Sequence, residues 1–416
     1  MAEINSQYQY GTPENQALLD HETRELLAFG RKFPAPGGGS SWLDSLGEPD
    51  PSHGIQTWIT CRMAHVYALG ALYGMDGAAE LVDKALDGLK GQLRDDANGG
   101  WYPEVSVEGV PAPGKICYTH AFVILASASA TLIGRPGAAE LLDEALATFD
   151  KRFWDDEAGL AVDTWNTEFT ELDPYRGVNA NMHTVEAFLA VADVTGREEY
   201  RARAGRIAGH VIDWASRNGW RIPEHFHEDW SFDLECNADK PDDQFKPYGA
   251  TPGHGIEWAR LITQWALSSD LDEERRASAI EAAEHLFARA LEDGWNRHGT
   301  VGLAYTTDWN GEPVVTDRMH WTLAEGVNTA ATLAAVTGRQ EYKDWYATFW
   351  AYIDEYLLDK EHGSWFHQLD KDNQVIGTVW PGKSDLYHAT QCTLIPRLDP
   401  AVSVAPALKA ANGLKG

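Results

Sequence analysis

His254 and His388 are the residues whose type and setting best suit them to chemistry. In Thr251-Pro252-Gly253-His254-Gly255-Ile256-Glu257-Trp258 a Pro/Gly-rich loop delivers a histidine and, three residues on, a glutamate at the start of an apolar helix. Residues i and i+3 share a helix face. A similar element, Trp380-Pro381-Gly382-Lys383-Ser384-Asp385-Leu386-Tyr387-His388, brings the second histidine. Histidine titrates near neutrality, so it can take a proton and return it within one turnover. Two such groups point to proton shuttling rather than hydrolysis. The competing reading, a histidine bracing a helix, is weakened because both follow Gly/Pro loops and open periodic helices.

Other polar groups open further apolar helices. Trp58 and Arg62 stand at i, i+4, and an arginine in so apolar a helix requires a counter-charge or a polyhydroxyl ligand. Tyr118 precedes one helix, Asn179 and His183 begin another with Glu186 at i+3, and Trp321 and Glu325 stand at i, i+4 in a third. Convergence of these at one mouth would form a polar pocket with aromatic walls, as sugars require. His254-x-x-Glu257 and His183-x-x-Glu186 have spacings a divalent ion can use. With no H-E-x-x-H pattern and no paired aspartate run, a catalytic metal is not expected. No Walker loop and no G-x-G-x-x-G after a strand is present, so no nucleotide cofactor is expected, and Pro36–Ser41 reads as a loop.

A repeated phrase supplies the elements that must carry these residues. An apolar helix, a glycine turn and an amphipathic helix recur around Gly74, Gly134 and Gly196 at a near-constant interval. Gly338 falls about two intervals later, with Ser268–Asp272 filling the missing turn. After each second helix comes a short aromatic or glycine-rich segment, such as Asn98–Tyr102 and His362–Phe366, that reads as a strand-like excursion at one end. Five hairpins, an N-terminal helix near Glu14–Arg31 and a C-terminal helix near Leu386–Leu394 make about twelve helices. Closing them into an all-α (α/α)6 barrel buries every apolar face; an open solenoid is the rival. One catalytic domain is predicted over 1–416, with loosely attached ends near 1–11 and 401–416.

Composition narrows the function classes. The 416 residues carry 63 acidic against 34 basic side chains, a net charge of −29. No basic cluster stands out, so a nucleic-acid partner is not expected. No apolar run nears the ~20 residues of a membrane span. Four dispersed cysteines and no signal-like N-terminus fit a cytoplasmic protein.

Four stretches, Trp58–Met63, Asn179–Phe188, Thr251–Trp258 and Val379–His388, together resemble the N-acylglucosamine 2-epimerase family, within it the aldose–ketose isomerases of mannose and sulfoquinovose. The resemblance spans nearly the whole chain. It implies an (α/α)6 barrel, metal-free chemistry and catalytic histidines at His254 and His388. It also implies sugar contacts from Arg62, Tyr118, Asn179, His183, Glu257, Trp321 and Glu325, with Trp58 added by its place beside Arg62. By the family pattern His388 moves a proton between C2 and C1. His254, poised by Glu257, opens the ring and moves protons between O1 and O2, while Arg62 and His183 stabilise oxyanion character. Gln244 stands where the sulfoquinovose members carry an arginine before Phe245-Lys246, although Gln368 is kept. The expected reaction is therefore D-mannose to D-fructose, with D-lyxose to D-xylulose beside it. A sugar 2-epimerase or sulfoquinovose isomerase is the alternative. A glycosidase using Glu257 and Glu325, and a non-catalytic sugar-binding protein, are more distant readings.

Overall fold

A computed structural model describes residues 5–414. Helix α1 (Pro13–Phe29) is followed by five hairpins. These are α2 (Thr57–Tyr73) with α3 (Ala78–Lys90), α4 (Cys117–Leu132) with α5 (Ala138–Arg152), α6 (Val178–Thr195) with α7 (Glu198–Arg217), α8 (Pro252–Ser268) with α9 (Glu273–Gly294), and α10 (His320–Thr337) with α11 (Gln340–Tyr352). The chain ends in α12 (Tyr387–Leu394) and α13 (Val404–Ala410). Helices α2, α6 and α10 stop at Gly74, Gly196 and Gly338, whose φ values of 92, 73 and 71° are left-handed. A Cβ on Gly196 or Gly338 would touch nothing, so conformation alone demands glycine there. The fourth hairpin turns without glycine. Its α9 starts on Asp272, whose side chain accepts from the Arg275 N–H at 2.8 Å.

Two kinds of helix build the barrel. The first of each pair is buried on nearly every side, whereas α3, α5, α7 and α9 bury one face only. A helix that is apolar all round belongs inside and an amphipathic one outside. Contacts run α2 to α4, α6, α8, α10, α12 and back to α2, so the inner ring closes. The two chain ends supply the sixth hairpin: α1 lies outside α12, with Thr23 Oγ1 2.8 Å from Thr393 Oγ1. The fold is the predicted (α/α)6 barrel and not an open solenoid.

Six small β-hairpins crown one end, their stems pairing Trp42 with Asp50, Val105 with Pro111, Trp165 with Leu172, Phe226 with Phe232, Thr307 with Pro313 and Leu369 with Val375. A residue one or two positions before each inner helix from α2 to α10 ladders onto the next crown segment: Gln56 with Glu104, Ile116 with Thr164, Gly177 with His225, Ala250 with Thr307, Met319 with Gln368. Lys383 N–H bonds the Leu43 carbonyl at 3.0 Å and completes the belt. Buried ion pairs, Lys115 with Asp95 at 2.8 Å and Lys383 with Asp359, tie this belt to the turns after α3 and α11. The crown thus fixes the N-termini of the inner helices, where the candidate residues sit.

The C-terminal segment is not loose. Helix α13 lies across the opposite end of the barrel against α2, α4 and α6, with Leu408 fully buried. The Gln264 amide donates to Ser403 Oγ at 3.1 Å, and the Ser403 N–H donates to Asp193 at 2.7 Å. At the other terminus Tyr8 donates to Asp354 at 2.7 Å. Both corrections have one cause: closing the barrel leaves an open base and an α1–α11 seam that the ends cover. Residues 1–4 and 415–416 lie outside the described part.

Candidate active site

The crown end holds a pocket lined by Arg62, Tyr118, Asn179, His183, His254, Glu257, Trp321 and His388, with His320, Asp385, Tyr305, Phe245 and Trp380 beside them. Eight of the ten predicted residues therefore meet at one mouth. Trp321 stands between the two histidines, its ring 5.2 Å from His254 and 5.6 Å from His388 between centroids. Gly253 makes that approach possible, because a Cβ there would lie 2.8 Å from the Trp321 ring.

Each histidine is backed by a carboxylate. The His388 Nδ1 lies 2.9 Å from Glu325 Oε1, and the His254 Nδ1 lies 3.0 Å from Glu224 Oε2. A carboxylate oxygen accepts, so in each contact the imidazole Nδ1 is the donor. Two expectations change here. The carboxylate bonded to His254 is Glu224 and not Glu257, because the ladder of His225 on Gly177 sets Glu224 beside the start of α8. Glu325 is fully buried, bonds His388 and does not line the pocket. That placement separates Glu325 from the pocket that Glu257 lines, against the Glu257/Glu325 pairing of the glycosidase reading.

Beneath the histidines lies a network centred on Arg260. Its Nε is 3.0 Å from Glu325, and Nη2 is 3.7 Å from Glu257 and 3.9 Å from Glu186. The three glutamates do not ionise alike. Burial and the neighbouring Glu325 charge push the Glu257 carboxyl well above its ordinary range. Burial acts on Glu325 too, but Arg260 and His388 outweigh it and keep Glu325 ionised. Glu186 is likewise held ionised against burial by His183, Arg260 and the Tyr387 hydroxyl. Burial thus favours the protonated form of Glu257, which can donate a hydrogen bond, where it faces the pocket.

Among the described residues, His183, Glu186 and Glu257, and also Glu257, Glu325 and His388, converge closely enough to hold a cation. The Arg260 guanidinium already supplies the positive charge those carboxylates share.

Arg62 combines both readings open at the sequence level: it is ion-paired and it lines the pocket. Nη1 bonds Asp385, Nη2 donates to the Tyr118 hydroxyl at 2.9 Å, and the guanidinium lies 4.9 Å from the Trp58 ring centroid. Burial alone would raise the Asp385 carboxyl, yet Arg62 and nearby histidines bring it well below its usual range. Trp58 itself packs on Phe245 and Trp380 and lines an outer chamber of about 530 Å³ next to the pocket, rather than the pocket wall. His183 is held neutral, its titration lowered by burial to about 4, with Nδ1 3.5 Å from Glu186. A neutral imidazole there presents one N–H donor and one acceptor nitrogen.

Five pocket-lining polar atoms are buried without a protein hydrogen-bond partner: Arg62 Nε, Asn179 Oδ1, Glu257 Oε1, His320 Nε2 and Trp380 Nε1. Unpaired buried donors and acceptors are costly, and hydroxyls of a polyol satisfy both kinds. Lys246 and Gln368 play no such part. The Lys246 ammonium sits 3.7 Å over the Tyr175 ring in the outer chamber. Gln368 is consumed in holding Asp317, Thr378 and the backbone of Val379 and Trp380.

Sequence reasoning did not select Glu224, Arg260, Asp385, Phe245 or Trp380. The crown repeat holds a signal for the first: Pro103, Asp163, Glu224, Thr306 and His367 occupy equivalent ladder positions.

Burying neutral imidazoles has a thermodynamic consequence. Burial lowers His65, His183 and His320 to about 4 and His120 to about 3, against an ordinary 6.5. Between those values the unfolded chain binds more protons than the folded one, so stability present above pH 6.5 is lost as the pH falls toward 4. The expected result is a urea midpoint that declines steadily from pH 7 to pH 4.5, each histidine contributing roughly 1.4 kcal/mol per pH unit. A flat profile would contradict the neutral burial.

A closed (α/α)6 barrel whose inner helices aim carboxylate-backed histidines and unpaired polar atoms into one pocket defines an enzyme of the sugar epimerase and isomerase class. Residues 38–392 match the family model described as N-acylglucosamine 2-epimerase (GlcNAc 2-epimerase), and the chain belongs to that family. It is 44% identical to a D-mannose isomerase of Thermobifida fusca, over 95% of this chain and 97% of that one. It is 39% identical to a D-mannose isomerase of Pseudomonas cannabina pv. alisalensis, over 95% and 96%. A crystal structure of a D-mannose isomerase superposes with a TM-score of 0.86 at 25% identity, over 93% of this chain and 99% of that one.

Proposed function

We propose that the protein interconverts D-mannose and D-fructose by proton transfer through a cis-enediolate, without a metal. The observation that carries this reading is the pair of carboxylate-backed histidines facing one pocket across Trp321. Isomerisation moves one proton from C2 to C1 and another from O2 to O1. His388 takes the first: Glu325 bonds it and Asp385 acts on it electrostatically, so two carboxylates stabilise the imidazolium that forms. The electron pair of the C2–H bond becomes the C1–C2 double bond, and O1 gains negative charge. Glu257, whose protonated form burial favours, and the Arg62 guanidinium stand ready to meet that charge. His254 moves the oxygen-bound proton and, earlier, takes the O1 proton and returns it to O5 as the ring opens. His388 then delivers its proton to C1, and C2 becomes the ketone.

The lining favours a neutral sugar. Arg62 has its charge partly balanced by Asp385, and the Lys246 ammonium lies over the Tyr175 ring in the outer chamber, which supports a neutral sugar over a sulfonate or phosphate. D-Lyxose, which lacks the C6 carbon, fits the same reading as a second substrate. The four cysteines are unpaired and three are buried, which supports the cytoplasm as the compartment. Turnover of D-mannose, D-lyxose, mannose 6-phosphate, sulfoquinovose and cellobiose, followed by ketose formation, tests the assignment. The neutral monosaccharides are expected to lead by at least about tenfold in kcat/KM, equivalent to ~1.4 kcal/mol; a lead by either anionic sugar would overturn it.

A further inference from the structure

We infer that Glu224 is a positioning residue for His254, fixing its tautomer so that Nε2 faces the sugar as a base. This rests on the histidine chemistry proposed above and adds a group outside the helix-borne candidates. Glu224 is only 3% exposed, and it is the carboxylate that bonds His254; Glu257, on the same helix as His254, does not. Its two oxygens do separate work. Oε2 receives the His254 Nδ1–H, and Oε1 lies 3.3 Å from the Thr251 N–H at the start of α8.

The backbone around Glu224 is held from several sides. Its carbonyl accepts the Val178 N–H at 3.1 Å where α6 begins. The adjoining His225 ring is fixed by the Tyr175 hydroxyl at 2.7 Å and the Pro247 carbonyl at 2.8 Å. A carboxylate set this firmly behind an imidazole selects one of two tautomers. The other would present N–H rather than a lone pair to the substrate, and removing such a carboxylate elsewhere has cost about 10⁴ in kcat. Glu224 also mirrors Glu325, so each histidine has a dedicated carboxylate from a different part of the ring.

The test compares Glu224→Gln, Glu224→Asp and the parent in steady-state kinetics with D-mannose and in ¹⁵N NMR of histidine-labelled protein. His254→Asn identifies the His254 signals by their disappearance. For Glu224→Gln we expect kcat to fall about 10²–10⁴-fold with KM within roughly twofold. Its His254 should leave the Nδ1–H form, and Glu224→Asp should recover part of kcat. A Glu224→Gln enzyme with unchanged kcat or an unchanged His254 tautomer would overturn the inference. So would equal losses in Gln and Asp variants accompanied by a lowered unfolding temperature, which would mark a merely structural residue. If the parent turns over none of the sugars, the substrate assignment fails while the tautomer measurement still decides the role of Glu224.

Discussion

His388→Asn is expected to lower kcat by at least roughly 10³-fold while leaving KM for mannose near the parent value. Asparagine keeps a polar group near Glu325 but cannot accept a proton from carbon. The loss therefore falls on the chemical step, and binding by Trp321, Asn179 and Arg62 is preserved. Exchange of the C2 hydrogen with solvent should vanish together with turnover, because both need the same base. Glu325→Gln should be impaired for a different reason: it leaves the ring in place but removes the negative charge that favours imidazolium. Rapid-quench kinetics of both variants checks this, and a His388→Asn enzyme within tenfold of the parent would refute the carbon-base assignment.

The second large effect is expected at Arg260. Its side chain is 5% exposed and is the cation among Glu186, Glu257 and Glu325. Arg260→Met leaves two ionised carboxylates without it, and removing one partner of a buried charge set costs about 3–5 kcal/mol. Activity should fall as well, since Glu325 would either take up a proton or move away from His388. Adding Glu325→Gln to Arg260→Met removes part of the unbalanced charge and should restore part of the stability, though not the activity. Urea unfolding of the single and double variants measures this; a cost below ~1 kcal/mol for Arg260→Met would show that the network does not hold the barrel centre together.

The barrel could be read from the chain because its signals are local. A turn glycine at each of Gly74, Gly196 and Gly338, followed by an amphipathic helix, states where hairpins fold, and their number sets the ring. His254, His388, Arg62 and Trp321 were legible because they begin those same helices. Glu224 was not, since its link to His254 depends on crown ladders between segments far apart in sequence. Arg260 was hidden differently: it lies one turn beyond Glu257, and only the closed ring shows Glu325 and Glu186 arriving from α10 and α6. Helix periodicity gave Glu257 and Glu325 the correct faces but the wrong partners. Whether a buried carboxyl meets sugar, histidine or arginine is set by neighbouring helices, not by its own. The C-terminal segment misled for a related reason, because its apolar residues find partners only once the barrel has a base to cover.

Direct proton transfer by histidine is tested by ¹H NMR of D-mannose in D₂O with EDTA-treated protein. D-Fructose is expected as the first product, with the hydrogen at C1 partly derived from C2 and partly replaced by deuterium, at a rate that EDTA leaves unchanged. D-Glucose appearing before fructose, or turnover that returns only when a divalent metal is added back, would contradict it.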